Sequence, residues 1–164
     1  MSERTYNVLF LCTGNSARSI MAEVLLQHLG GGRFTAYSAG SHPKGAVHPL
    51  ALATLQSMGL PVDGLRSKSW QECAQPGAPR LDFVFTVCDD AAGEVCPVWP
   101  GTPITAHWGV EDPAAFHGTE ADQCQKFRHV ALLLRRRIAR FVSLSLATLD
   151  RMTIQATRTE IGQR

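Results

Sequence analysis

A short apolar run near the start of the chain passes directly into a polar loop and then into a segment with helical periodicity. The run, Tyr6 to Leu11 (YNVLFL), is rich in aromatic and aliphatic residues, which is typical of a buried strand. After residues 12–18, apolar residues recur at helical spacing until three glycines follow: Ile20, Met21, Val24, Leu25 and Leu29. A strand, a tight loop and a helix in that order predict the first unit of an α/β fold.

Strand-like and helix-like segments continue to alternate along the rest of the chain. The predicted elements are strands at 34–38, 82–87 and 103–107, a helix at 50–58, and loops at 73–80 and 108–119. A last helix is predicted from a spaced apolar set: Phe127, Val130, Leu134, Ile138 and Phe141. This alternation predicts a three-layer α/β fold with a parallel sheet covered on both faces. We expect residues 1–164 to form one domain, with residues 150–164 as a peripheral tail.

The composition excludes several classes of protein. Hydrophobic residues make up 45% of the chain and charged residues 18%, as in globular proteins, and no apolar run approaches the roughly 20 residues that cross a bilayer. A net charge of +2 is too small to indicate a nucleic-acid partner, and the arginine-rich stretch 135–140 is interpreted as the solvated face of a helix. The five cysteines come without a secretory signal, so we expect a cytoplasmic protein with free thiols rather than a disulfide framework.

The loop after the first strand carries the residues of an anion-binding site. Cys12 follows the strand directly, and Arg18 stands at the start of the helix with five residues between them. Such a loop turns successive backbone N–H groups inward, and the positive end of the helix strengthens their field. The same field stabilises a thiolate, which makes Cys12 the candidate nucleophile, while Arg18 matches two oxygens of a tetrahedral oxyanion. The predicted substrate-binding residues are Thr13, Gly14, Asn15, Ser16, Ala17, Arg18 and Ser19.

Each of these residues also has an ordinary interpretation. A cysteine after a strand is usually a small core residue, and an arginine at a helix start is usually solvated. Ser19 is placed to donate a hydrogen bond to the thiolate, and Gly14 and Asn15 suit the backbone of a tight loop. The order of strand, cysteine, Gly-Asn-Ser, Arg-Ser and amphipathic helix is what favours a catalytic loop over these alternatives.

The segment CTGNSARSIMAE resembles the active-site loop of the low-molecular-weight protein tyrosine phosphatase superfamily, and most closely that of its arsenate reductases. The likeness continues through YSAG, TVCDDA and HWGVEDPA, and so covers roughly residues 6–142. It implies a four-stranded parallel sheet flanked by helices, with the third strand beside the first. It also implies reduction of arsenate to arsenite, weak phosphatase activity, and no metal or organic cofactor.

Two further cysteines follow the third predicted strand. Cys88 stands at its carboxyl end, where chemistry collects in parallel sheets, and Cys96 lies eight residues further on. From the residues alone, the pair fits a redox role, two buried or unrelated thiols, or a zinc pair that lacks other ligands of usual spacing. The resemblance implies a relay from Cys12 to Cys88 to Cys96 that ends on thioredoxin. If Cys96 is silent, glutathione with glutaredoxin is the alternative reductant. Cys73 and Cys124 have no motif around them and are interpreted as structural.

The sequence HWGVEDPAAF supplies the candidate general acid. Superfamily members carry an Asp-Pro pair on a loop over the active site, and Asp112 with Pro113 matches it. A carboxyl group near the anion site, partly shielded by Trp108 and Phe116, is expected to protonate a leaving oxygen. Without the resemblance, an aspartate before a proline is also explained as a residue that begins a turn.

Two other functions use the same residues. A tyrosine phosphatase shares Cys12, Arg18 and Asp112, but relatives specific for tyrosine usually place Tyr after Asp-Pro, where this chain has Ala114 and Ala115. A phosphatase also needs no second and third thiol. A non-catalytic oxyanion-binding or redox-sensing module is the other alternative, and the intact nucleophile, arginine and acid disfavour it.

Some members of the superfamily bind potassium beside the loop through an Asn, a Glu, a Ser and an Asp. Asn15, Glu23 and Ser38 match the first three, whereas Lys68 stands near the fourth. An ammonium group can take the place of the ion, so we expect no potassium requirement.

Overall fold

The fold is built on a parallel sheet, seen in a computed structural model that describes residues 5–87, 103–144 and 148. The strands are β1 (Tyr6–Leu11), β2 (Phe34–Ala39), β3 (Phe83–Thr86) and β4 (Ile104–His107). The α-helices in these residues are α1 (Arg18–Leu29), α2 (Pro49–Ser57) and α3 (Glu120–Val142), and short 3-10 helices cover Gly31–Arg33, Trp70–Ala74 and Pro113–Ala115. The predicted strands and helices are confirmed. None of the helices within these described ranges is long and apolar enough to cross a membrane.

The strand order is β2-β1-β3-β4, and all neighbouring strands are parallel. The prediction that the third strand lies beside the first is therefore confirmed. In the register, Leu11 of β1 is opposite Ala39 of β2 and Thr86 of β3. Because parallel strands end at the same edge of a sheet, the residues that follow them meet there. Cys12 follows β1 at this edge.

The two faces of the sheet belong to two separate apolar clusters. Val8 and Phe10 point into the larger cluster, which includes the buried faces of α1, α2 and α3, whereas Leu9 and Leu11 point into a smaller one around Trp70. This alternation follows from the period of two in a strand. Each fully buried large side chain contributes about 1.5–3 kcal/mol, so both faces hold the sheet edge in place beneath the site.

The last helix packs its apolar stripe on the sheet as the spacing predicts. Its buried residues include the whole predicted set: Phe127, Val130, Leu134, Ile138 and Phe141. Phe141 meets Phe85 edge to face, with ring centroids 5.2 Å apart, and Phe85 in turn stacks on Trp108 at 3.9 Å. Trp108 therefore belongs to the packing between β3, β4 and α3.

Candidate active site

The loop between β1 and α1 is held in a conformation that leaves a helix end open. Asn15 has a φ of 43°, in the left-handed region that asparagine tolerates better than most residues. Ala17 precedes α1 and its side chain caps none of the first N–H groups of the helix. Uncapped N–H groups at the positive end of a helix are free to bind an anion. The local sequence thus leaves the first N–H groups of α1 without a side-chain cap, which is what the predicted anion-binding loop requires.

A hydrogen-bond network buried under the loop ends on the Cys12 sulfur. The Lys68 backbone N–H donates to Asn15 Oδ1 at 2.8 Å, which fixes the orientation of the Asn15 amide. Asn15 Nδ2 then donates to Ser19 Oγ at 2.8 Å. With its oxygen accepting that bond, the Ser19 hydroxyl has its hydrogen left for Cys12 Sγ, 3.0 Å away. The network therefore points a hydrogen-bond donor at the Cys12 sulfur.

Arg18 and Asp112 meet across the cavity from different parts of the chain. Arg18 Nη1 donates to the Val110 carbonyl at 3.1 Å, and Arg18 Nη2 lies 3.7 Å from Asp112 Oδ2. The other carboxylate oxygen of Asp112 accepts the Ala114 N–H at 3.0 Å. Asp112 thus both begins the 3-10 turn, as the ordinary interpretation had it, and faces the predicted anion site.

The expected shielding of Asp112 by two aromatic rings is wrong for the part of the chain that the structure describes. Trp108 is stacked on Phe85 instead, and Phe116 lies under the Lys126 ammonium at 5.4 Å. Neither ring lines the cavity beside Asp112, whose side chain is 39% exposed. The reason is that the partly buried tryptophan packs against the core, which the sequence could not reveal.

A cavity of about 230 Å³ joins the predicted residues. Its lining consists of Cys12, Thr13, Gly14, Ser16, Ala17, Arg18, His42, Lys44 and Asp112. Asn15 and Ser19, predicted to bind substrate, are fully buried beneath it, so their side chains support the loop. His42 and Lys44 were not predicted. They come from the segment between β2 and α2, and no motif marks them.

The glycine that ends YSAG explains how that segment approaches the loop. A Cβ on Gly40 would lie 2.5 Å from the Thr13 carbonyl oxygen and 2.7 Å from that of Cys12, so a side chain does not fit there. The Gly40 backbone also bonds to the segment 68–70, with N–H to Lys68 O at 2.9 Å and C=O to Trp70 N–H at 2.9 Å. Gly40 therefore allows the end of β2, and the segment 68–70 bonded to it, to lie close to the anion loop.

An ion pair lies behind the loop where some superfamily members bind potassium. Lys68 Nζ is 3.9 Å from Glu23 Oε1, and the same oxygen accepts a short hydrogen bond from the Ser38 hydroxyl. Burial raises the pKa of Glu23, while the Ser38 hydrogen bond and the Lys68 charge oppose that shift. The Lys68 ammonium thus lies beside Glu23, and its positive charge opposes the binding of a potassium ion at this place. The described residues contain no other cluster of metal-ligating side chains.

His48 connects the anion loop to the helix that follows it. Its N–H donates to the Ser16 carbonyl at 2.8 Å, and its Nδ1 accepts the Leu50 N–H at 3.1 Å, which caps α2. The ring packs on Phe127 at 4.8 Å between centroids. Burial lowers the pKa of His48, the Lys44 charge lowers it further, and the Asp112 carboxylate acts in the opposite direction.

The structure describes three of the five cysteines. Cys88 and Cys96, the predicted relay thiols, lie outside the described residues. Cys73 is buried in the smaller cluster, and that burial raises the pKa of its thiol. Cys124 is exposed on α3, so a packing role fits Cys73 but not Cys124.

Known proteins resemble this chain in sequence and structure. A model of the family described as low molecular weight phosphotyrosine protein phosphatase matches residues 7–154. An arsenate reductase of Halalkalibacterium halodurans is 37% identical over 135 residues, covering 82% of this chain and 93% of that protein. A solved structure described as an arsenate reductase in the phosphate binding state has a TM-score of 0.69 and 27% identity, covering 85% and 98% of the two chains. A thioredoxin-dependent arsenate reductase of Corynebacterium glutamicum has a TM-score of 0.56 and 26% identity, covering 84% of this chain and 64% of that one.

Proposed function

The chain belongs to the low molecular weight phosphotyrosine protein phosphatase family, and on that basis we propose that it reduces arsenate to arsenite with Cys12 as nucleophile. One observation carries the proposal: Cys12, Arg18 and Asp112 line the same cavity. The relatives named as arsenate reductases support arsenate as the oxyanion. The loop supplies what such a substrate requires, since N–H groups and a guanidinium both bind tetrahedral anions.

The first step of the proposed reaction forms a bond from sulfur to arsenic. Arsenate binds to the backbone N–H groups of residues 13–19 and to Arg18. The Cys12 thiolate attacks arsenic, and Asp112 gives its proton to the departing hydroxide, which leaves as water. The Ser19 hydroxyl at 3.0 Å supports this step because it stabilises the thiolate before the attack.

The second step transfers two electrons to arsenic. Cys88 attacks the Cys12 sulfur, the bond from sulfur to arsenic breaks with its electron pair on arsenic, and arsenite leaves. Cys96 then attacks Cys88, which frees the Cys12 thiolate and leaves a disulfide between Cys88 and Cys96. The end of β3 supports the attack of Cys88 on Cys12: the Val87 N–H donates to the Leu11 carbonyl at 2.8 Å, and these two residues directly precede Cys88 and Cys12 in the sequence.

An external dithiol protein closes the proposed cycle by reducing the last disulfide. Thioredoxin is the first candidate, because a structural relative is described as thioredoxin-dependent, and glutaredoxin with glutathione is the second. Both reductants act in reducing compartments, so a cytoplasmic location is part of the proposal.

Phosphate-ester hydrolysis is the competing function, since it uses the same cysteine, arginine and acid. The residues lining the cavity include no phenylalanine, tyrosine or tryptophan in the described part of the chain. Ala114 and Ala115 follow Asp112 and Pro113, so no ring stands directly after the acid to stack on a phenyl ester. We therefore expect weak phosphatase activity beside the reductase activity.

The test is arsenate-dependent oxidation of NADPH by the full chain. One arm contains thioredoxin with thioredoxin reductase, the other glutathione with glutaredoxin and glutathione reductase, and p-nitrophenyl phosphate hydrolysis is measured in parallel. We expect turnover in the thioredoxin arm and a kcat/KM for arsenate above that for the ester. Ester hydrolysis without NADPH oxidation in either arm would refute the proposal.

Cysteine variants separate the relay from the first attack. Cys88→Ser is expected to permit at most one stoichiometric attack, and Cys96→Ser to lose turnover with thioredoxin only if Cys96 is the last thiol. Cys124→Ser is the matched control, because that thiol is exposed on α3 and lies outside the cavity lining. Full multiple turnover by Cys88→Ser with thioredoxin would contradict the relay.

A further inference from the structure

The segment between β2 and α2 runs along the anion loop and is fastened to it at regular intervals. The His42 N–H donates to the Thr13 carbonyl at 2.9 Å, and the Lys44 N–H donates to the Gly14 carbonyl at 2.9 Å. The Ser67 hydroxyl adds a bond to the same Gly14 carbonyl at 3.2 Å. Two backbone hydrogen bonds therefore fix these two segments relative to each other, and the Lys44 side chain starts from a defined place at the mouth of the cavity.

The Lys44 side chain reaches the cavity by crossing Gly14. A Cβ on Gly14 would lie 3.2 Å from Lys44 Cε and 3.4 Å from Cγ, so the lysine stem occupies the space above the glycine. The lysine lines the cavity together with Cys12 and Arg18. The absence of a side chain at Gly14 thus leaves room for the Lys44 stem, in addition to suiting the backbone of the loop.

The charge of Lys44 has no carboxylate partner among the described residues, whereas the charge of Arg18 is partly offset. Arg18 lies 3.7 Å from Asp112 and also donates to a backbone carbonyl. The ion pairs within residues 5–87 and 103–144 do not include Lys44, and its side chain is exposed. Its field nevertheless reaches His48, whose N–H bonds to Ser16 of the anion loop, since Lys44 contributes to the lowered pKa of His48.

We propose that Lys44 is a specificity-determining residue whose ammonium favours doubly charged tetrahedral oxyanions over singly charged ones of the same shape. This role of Lys44 rests on the proposed function in one respect, since it assumes that the substrate anion binds in this cavity. Coulomb energy is proportional to the charge of the anion. If loss of the ammonium weakens binding of a singly charged anion about threefold, it weakens binding of a doubly charged one about tenfold, which is the square of that factor.

The experiment measures how sulfate and perchlorate protect Cys12 of the reduced full chain from alkylation, followed on the Cys12 peptide by mass spectrometry. Both probes have four oxygens around a central atom, and they differ in charge. We expect Lys44→Gln to raise the Kd for sulfate about tenfold and that for perchlorate about threefold. Lys44→Arg should stay within about twofold of the unaltered chain. Arg135→Gln, at an exposed position of α3 outside the cavity lining, controls for the loss of one positive charge elsewhere.

Several outcomes would overturn the proposal. These are an unchanged sulfate Kd in Lys44→Gln, an equal loss for both anions, an equal loss in Arg135→Gln, and the absence of protection in the unaltered chain. Because the assay involves no turnover, it separates this inference from the reductase activity. If the chain fails to reduce arsenate but shows the charge-dependent loss, the proposed function is wrong and the role of Lys44 stands. If arsenate is reduced, Lys44→Gln should raise KM and leave kcat within about twofold.

Discussion

The floor and the rim of the candidate active site are built in opposite ways. The floor, which we define as Cys12, Asn15 and Ser19, is almost completely buried, and hydrogen bonds connect its side chains into one network. The rim, defined as Lys44 and Asp112, is partly exposed and comes from distant segments. The buried network acts on one atom, the Cys12 sulfur, through direct hydrogen bonds. The exposed charges of the rim act over a longer distance, and water and salt screen them. The difference teaches that floor changes should alter sulfur reactivity, and rim changes should alter binding or proton transfer.

The largest effect is expected at the centre of the floor. Cys12→Ser replaces the thiolate by a hydroxyl that stays protonated near neutral pH, so arsenate-dependent NADPH oxidation should fall by at least roughly ten-thousandfold. Phosphate binding, measured by titration calorimetry, should survive because the backbone N–H groups remain. Residual turnover within about tenfold of the unaltered chain would show that another atom is the nucleophile.

The rim should show its largest effect at Asp112. Asp112→Asn keeps an oxygen that accepts the Ala114 N–H but removes the proton donor, so kcat should fall roughly a hundredfold. Alkylation of Cys12 in the same variant should proceed at about the normal rate, because the floor network is intact.

The neighbouring carboxylate is a matched control. Glu111 is bonded to Lys126 at 2.6 Å and its side chain is 50% exposed, so Glu111→Gln should leave kcat within about twofold. An equal loss of kcat in Asp112→Asn and Glu111→Gln would mean that the negative charge of the loop matters and that Asp112 does not act as a proton donor.

A smaller effect is expected where the floor network meets the sulfur. Ser19→Ala removes the hydroxyl 3.0 Å from Cys12 Sγ and leaves Asn15 Nδ2 without its acceptor. Because a hydrogen bond to a charged group contributes about 1.5–3 kcal/mol, alkylation of Cys12 and kcat should both slow about ten- to hundredfold. Ser57→Ala is the control, since the Ser57 hydroxyl donates to the Thr54 carbonyl of α2 at 2.7 Å and Ser57 lies outside the cavity lining. An unchanged alkylation rate in Ser19→Ala would show that the hydrogen-bond network does not control the reactivity of Cys12.

The same comparison explains what the sequence could predict. Cys12, Arg18 and Ser19 lie within eight consecutive positions, so the order of residues and the strand-to-helix pattern were enough to predict that they belong to one site. The contacts that position them join residues far apart: Arg18 to Val110 spans 92 positions, and Asn15 to Lys68 spans 53. No local pattern encodes such contacts. Trp108 shows the same limit, since its place in the Phe85 stack depends on packing between three elements.

The ion pair between Lys68 and Glu23, behind the floor, should take the place of a bound cation. Its loss should change the free energy of unfolding more than it changes kcat. The Lys68 ammonium lies 3.9 Å from Glu23, so activity should be equal in sodium-only and potassium buffers. Lys68→Met leaves the largely buried Glu23 carboxylate without that partner, which should lower the free energy of unfolding by about 1–2 kcal/mol in urea titrations. Activity of the unaltered chain that rises severalfold with potassium would show that the ion still binds.

The smallest effect concerns His48, the residue through which the floor and the rim are connected, because its N–H bonds to Ser16 and its ring senses both Lys44 and Asp112. Burial, with help from Lys44, lowers its pKa below the ordinary value of 6.5, so the folded chain resists protonation of the ring. The stability that this neutral ring contributes is fully present above pH 6.5 and is lost as the pH falls towards the lowered value.

Urea titrations of unaltered and His48→Asn chains between about pH 5 and 8 test this, since asparagine still accepts the Leu50 N–H as a helix cap but does not titrate. The free energy of unfolding should decline more steeply with acid in the unaltered chain than in His48→Asn. His28→Asn, at an exposed position of α1, should keep the steep decline. Parallel pH dependences of the free energy of unfolding in the unaltered and His48→Asn chains would contradict this. They would mean that the His48 ring is protonated as easily in the folded chain as in the unfolded one, and that His48 does not couple the rim charges to the loop.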